Sequence, residues 1–160
     1  MNSIESNPIF HGNRDIIDFL INDLSTLLYL PEDTIICQGQ NGANFFFIAK
    51  GDCEVWVKDH LKNNQLVKQL TQGEYFGEIA LLNSCQRTAT VKSTNYCTMA
   101  SVDKIIFYDL CNSFSDIFIK MKQKAVSTYH DPWKRFKIRL LNQIEYFKGI
   151  QNPEEFFDEI

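Results

Sequence analysis

Gly73-Glu-Tyr-Phe-Gly-Glu-Ile-Ala-Leu-Leu-Asn-Ser-Cys-Gln-Arg-Thr-Ala-Thr-Val91 is the stretch on which the reading of this chain turns. Its centre, Phe76-Gly77-Glu78-Ile79-Ala80-Leu81-Leu82, predicts a strand that ends at a glycine and passes at once into a helix-prone turn. Such a turn presents backbone N–H groups and the positive end of a dipole, which suits a phosphate. Nine residues beyond Glu78 stands Arg87, followed by Thr88 and a β-rich run from Ala89 to Val91. A carboxylate and a guanidinium on either side of one turn would hold a sugar hydroxyl and a phosphate respectively. The same pair would serve almost as well as a surface salt bridge bracing a loop.

Outward from this stretch the chain is punctuated as a small β structure. Short β-rich runs (TIIC from Thr34, then NFFFIA, CEVWV, QLVKQL, TATVK and YCTMAS) alternate with turn signals at Gly39, Gly42, Gly51, Asn63-Asn64 and Gly73. Strands spaced about every ten residues predict an antiparallel sandwich or jelly-roll barrel rather than a βαβ fold. In CEVWV, Val55 and Val57 alternate with Glu54, Trp56 and Lys58, so one face is expected to be wet. The segment before the strands reads as a helix reaching about Leu30, with Ile16, Phe19, Leu20, Leu24, Leu27 and Leu28 as its stripe, Asn13 as its cap and Pro31 as its stop. After them, Ile106, Phe107, Leu110 and Cys111 mark one helix ending near Ser113. A second is expected from Ser115 to about Tyr129, with Ser113 and Asp116 as a cap pair. A third would start at Asp131-Pro132 and bury Trp133, Phe136, Leu140, Ile144 and Phe147. The expected fold class is therefore α+β, an antiparallel β jelly-roll barrel flanked by an N-terminal helix and C-terminal helices. Its expected organisation is a helical segment over 1–30, a barrel with its following helices over 31–130, and a C-terminal helix with an acidic tail over 131–160.

Composition narrows the function. The chain has 160 residues, a net charge of −4 and 44% apolar residues, which fits one folded domain and lacks the field of a non-specific nucleic-acid binder. No apolar run is long enough for a membrane span, and the first residues, MNSIESNPIF, do not read as a signal peptide. A soluble protein kept inside the cell is expected. The five cysteines are widely spaced without a CxxC pair, so reduced thiols are expected rather than disulfides or zinc. The three histidines lie far apart, and neither a metal centre nor a nucleophile–histidine pair is indicated, so no catalytic residue is assigned.

FGEIALLNSCQRTATV resembles the phosphate-binding cassette of cyclic-nucleotide-binding domains, F-G-E-[LI]-[AS]-L-[LI]-x-x-x-x-R-x-A-[TS]-V, at every fixed position. Pro31, Ile35-Ile36, Gly39 and the FFFIAKG run ending at Gly51 also match the family's first strands, and the likeness covers roughly residues 10 to 130. Gly73-Glu-Tyr-Phe, Thr88 and Asn95-Tyr-Cys97 make the chain look most similar to the domains of cyclic-nucleotide-gated and hyperpolarisation-activated cation channels. The resemblance implies a cAMP or cGMP ligand and no other cofactor. It implies that Arg87 pairs with the cyclic phosphate, aided by backbone N–H groups of Gly77, Ile79 and Ala89, with Ala80 within the same cassette. Glu78 would accept from the ribose 2′-OH, Thr88 would bond the phosphate or a guanine 2-amino group, and Phe76, Leu70 and Val91 would wall the sugar and base. The purine cap is expected from Val126, Tyr129 or His130, with Trp133 as an outside candidate. Channel relatives often place an arginine or an aliphatic residue over the base near the region matching Thr128 to Pro132, and here that region is Thr-Tyr-His-Asp-Pro, with no arginine and a proline expected to end the helix.

The resemblance further implies a sensor that works by binding and movement of the helix after the barrel. It would be free-standing in the cytoplasm or lie at the cytoplasmic face of a channel. Its partners would be a cyclic nucleotide and a channel pore or linker, or a second copy through the C-terminal helices. Lys134, Arg135, Lys137 and Arg139 read as a solvated helix face, and no nucleic-acid partner is expected. The competing expectation is a degenerate barrel that serves as an interaction platform without ligand.

Overall fold

Eight strands organise the structure, a computed structural model that describes residues 7–9, 14–21, 23–58 and 61–125, and the count is of those residues. They are β1 (Ser25–Tyr29), β2 (Thr34–Ile36), β3 (Asn44–Lys50), β4 (Cys53–Lys58), β5 (Asn64–Leu70), β6 (Tyr75–Phe76), β7 (Thr90–Ser93) and β8 (Cys97–Asp103). Every pairing is antiparallel, and two four-stranded sheets result, one ordered β1-β8-β3-β6 and the other β2-β7-β4-β5. The β-rich runs read from the sequence are thus strands, and the turn glycines Gly39, Gly51 and Gly73 carry positive φ values.

β3 explains why four consecutive apolar residues can be a strand. Successive side chains leave a strand on opposite faces. Phe46 and Ile48 enter the cluster between the sheets with Cys53, Val55, Leu70, Phe76, Val91, Cys97 and Met99. Phe45 and Phe47 turn to the other face, where Phe45 meets Tyr75 at 5.7 Å and Phe107 at 5.5 Å between ring centres. All four are buried, so this sheet is covered on both sides where β3 runs, and no polar alternation survives. β4 does alternate at its start, with Cys53 and Val55 buried and Glu54 and Trp56 half-buried, until a bulge opposite β5 between Val55 and Trp56.

Among the described residues, four helical runs accompany the sheets: α1 (Arg14–Ile21), α2 (Glu78–Leu82), α3 (Lys104–Ser113) and α4, residues 115–125. The helix expected to reach Leu30 is corrected. α1 stops at Ile21, and Ser25 to Tyr29 form β1 in register with Ser101 to Cys97 of β8. Ser25 and Thr26 are poor helix formers, and β8 offers an open hydrogen-bond ladder, so tertiary pairing overrides the helical spacing of the leucines. Leu27 and Leu28 are exposed rather than buried in a stripe. Pro31 still ends an element, but the element is β1; the turn after it closes through Leu30 N–H to Asp33 Oδ2 at 2.7 Å.

α3 begins at Asp103, whose carboxylate accepts from the Ile105 N–H at 2.8 Å, and buries Phe107, Leu110 and Cys111 as its stripe predicts. Ser113 lies inside α3 and Phe114 breaks the chain direction, so the expected Ser113–Asp116 cap pair is not the boundary. α4 buries Ile117 and Met121. Contacts divide the chain into one compact unit over residues 1–121 and another over 122–160. The expected cap at Asn13, the purine cap at Val126, Tyr129 or His130, and the helix from Asp131 with Trp133 lie outside the described residues. Among the described residues, no helix is long and apolar enough to cross a membrane, and no three His, Cys, Asp or Glu side chains gather as a metal site.

Candidate functional site: a buried guanidinium between two loops

β6 ends at Phe76, which stacks on Phe46 with ring centres 5.3 Å apart, and the chain reverses at Gly77 with φ of 87°. That positive φ suits glycine and starts the single-turn helix α2. Glu78, its first residue, is only 5% exposed, and Ala80, Leu81 and Leu82 pack inward. The chain returns through a loop to Arg87, itself 6% exposed. The Arg87 backbone is clamped to the loop before β3. Its N–H donates to Gln40 O, its carbonyl accepts from Gly39 N–H, and both bonds are 2.8 Å. Its side chain reaches under both loops: Nη1 donates to Gly77 O at 2.7 Å and Nη2 to Asn44 O at 2.5 Å.

A cation is thereby held in the interior by two backbone carbonyls, with the carboxylate of Glu78 nearby. Burial pushes the Arg87 guanidinium down from its usual value, and the charge of Glu78 acts in the opposite direction. The pair is not a surface salt bridge, since both residues are buried. A planar group fixed at two N–H donors keeps others to offer, and the paired oxygens of a phosphate or a carboxylate match that fork.

Asn44 was not anticipated as a partner. Its side-chain Nδ2 donates to Ser101 Oγ at 2.9 Å, which fixes the carbonyl that receives Arg87. The preceding carbonyl, Ala43 O, accepts from Lys104 N–H at 2.7 Å, so one short loop holds both Arg87 and the first residue of α3. Asn7 was also missed: it is 3% exposed and donates from Nδ2 to Gly73 O at 2.9 Å, pinning the turn that leads into the site. Gly42 had been read only as a turn signal, yet it lies against the Arg87 guanidinium. The spacing of Gly42, before β3, and Asn44, its first residue, carried the hint.

The cyclic nucleotide-binding domain model matches residues 26–114. The chain belongs to this family. Among the relatives of this cyclic nucleotide-binding domain, the cAMP-dependent protein kinase regulatory subunit of Candida albicans is 34% identical over 113 residues, covering 71% of this chain and 23% of that protein. The potassium/sodium hyperpolarization-activated cyclic nucleotide-gated channel 2 of Mus musculus is 30% identical over 155 residues, covering 95% of this chain and 17% of the channel. The domain thus spans about a quarter or less of these proteins' lengths. The structure of a regulatory subunit of a cAMP-independent protein kinase A from Trypanosoma brucei superposes with a TM-score of 0.76 at 21% identity, over 85% of this chain and 50% of that one. The expected leaning towards channels is corrected in degree. Kinase regulatory subunits match at higher identity, and the channel is the more distant likeness.

The domain's expected site residues fall into three groups. Gly77, Glu78 and Arg87 converge on the guanidinium, while Ile79, Thr88 and Ala89 are half-buried on the segments leading from it. Phe76, Leu70 and Val91 sit in the cluster between the sheets, Leu70 and Val91 each 1% exposed, where they pack the interior. A separate depression of about 460 Å³ lined by Asp52, Cys53, Glu54, Gln69, Leu70, Thr71 and Thr94 shares only Leu70 with the expected residues.

Proposed function

We propose that this domain binds a cyclic nucleotide, cAMP or cGMP, and regulates a partner by that binding rather than by catalysis. The single observation that carries the reading is the Arg87 guanidinium, buried and aimed by the carbonyls of Gly77 and Asn44 beside the buried Glu78. Arg87 would take the cyclic phosphate with help from N–H groups of Gly77, Ile79 and Ala89. Glu78 would take the ribose 2′-OH and Thr88 a phosphate oxygen or guanine. Phe76, Ala80, Leu70 and Val91 would shape the wall, and the two sheets would form the jelly-roll barrel the family implies. Val126, Tyr129 or His130 would cover the purine. The kinase-subunit relatives favour a catalytic subunit as the partner over a channel pore, and the setting would be the cytoplasm.

Movement has a physical route. The consecutive carbonyls of Ala43 and Asn44, where the loop enters β3, bind the start of α3 and Arg87, so a phosphate that draws on Arg87 acts one residue from the contact to that helix. The ligand shifts the helices after Asp103 only by its differential affinity for their two positions. Isothermal titration with cAMP and then cGMP tests the reading. Micromolar binding, about −8 kcal/mol, is expected for at least one of them. Arg87→Ala should lose about 2–5 kcal/mol of it with unchanged far-UV circular dichroism. No heat up to millimolar ligand would leave the interaction platform as the function.

A further inference from the structure

We infer that Gly42 is a positioning residue for Arg87, its missing side chain being what admits the guanidinium to the seat from which it meets the phosphate. The inference deepens the cyclic-nucleotide reading and rests on it for the ligand. Gly39, Gly51, Gly73 and Gly77 have positive φ values, so their backbone alone favours glycine. Gly42 is not among them. What excludes a side chain there is space, because a Cβ at Gly42 would collide with Cζ and Nε of Arg87 and lie 2.8 Å from Nη2. The far end of an arginine ordinarily swings aside at little cost. This one is tied at Nη1 to Gly77 O at 2.7 Å and at Nη2 to Asn44 O at 2.5 Å, and it is 6% exposed. To make room it must break a charge-assisted bond in a site closed to water. Gly42 therefore acts on the ligand through the direction of another residue's side chain.

Two double-mutant cycles on the full chain test this. The first needs no nucleotide: thermal unfolding of the parent, Gly42→Ala, Arg87→Ala and the double variant. Gly42→Ala should lower the midpoint when Arg87 is present and leave it unchanged in the Arg87→Ala background. If Gly42→Ala does not fold, recovery of a cooperative transition in the double variant supports the collision, and failure to recover overturns it. The second cycle titrates cAMP into Gly42→Ala, Arg87→Lys and their combination. With Arg87 in place, the alanine should weaken binding at least about tenfold, the worth of one charge-assisted hydrogen bond. On the slimmer lysine it should cost nothing further. Equal losses in both backgrounds, in either cycle, would show that alanine strains the loop itself and would overturn the inference. Should the parent bind neither cAMP nor cGMP, the proposed function falls while the melting cycle still decides the role of Gly42.

Discussion

Arg87 is aimed by the protein itself, since two of its five N–H groups are bound to backbone carbonyls. Glu78 is the residue that should sense the sugar. Glu78→Gln is expected to bring cAMP and 2′-deoxy-cAMP to similar affinities, measured by competition titration, whereas a purely structural Glu78 would leave their ratio untouched. Asn7→Ala should remove the bond to Gly73 O and lower stability by about 1–3 kcal/mol in urea unfolding, because the carbonyl it serves lies in a buried turn. The charged members of the site were legible in the sequence because they stand within one short stretch and are chemically distinctive. Their seat was not, because a backbone carbonyl such as Asn44 O leaves no trace in residue type, and Asn7 acts from far outside the cassette.

Among the elements, β1 was misread for a reason that can be tested. A helix spanning to Leu30 would bury Leu28, but Leu28 on β1 is 78% exposed. Leu28→Lys should therefore change stability by no more than about 0.5 kcal/mol and reduce aggregation from an edge strand; a loss of several kcal/mol would restore the helix. α3 was read correctly because its stripe through Phe107, Leu110 and Cys111 shows in the sequence, and in the structure the Asp103 cap adds to it. Burial pushes the Cys111 thiol up to about 11 from an ordinary 9.0. The folded state keeps this thiol neutral, so its contribution to stability is complete below pH 9 and is lost as pH rises towards 11. Over that window the parent should lose more melting temperature than Cys111→Ala does.

For the whole molecule, the sheet arrangement followed from the rhythm of short runs and turns, while strand order did not, because pairing partners lie far apart along the chain. β3 sits inside its sheet between β8 and β6 and carries Phe45, Phe46, Phe47 and Ile48, all buried. That placement has a consequence for biosynthesis. A ribosome delivers this hydrophobic strand well before β8, the partner that pairs with most of its length. Until Cys97–Asp103 has emerged, the nascent chain displays in residues 45–48 a short, uncharged, β-prone segment of the kind that seeds aggregation. Premature termination anywhere between the two strands would thus yield insoluble fragments rather than a smaller folded domain.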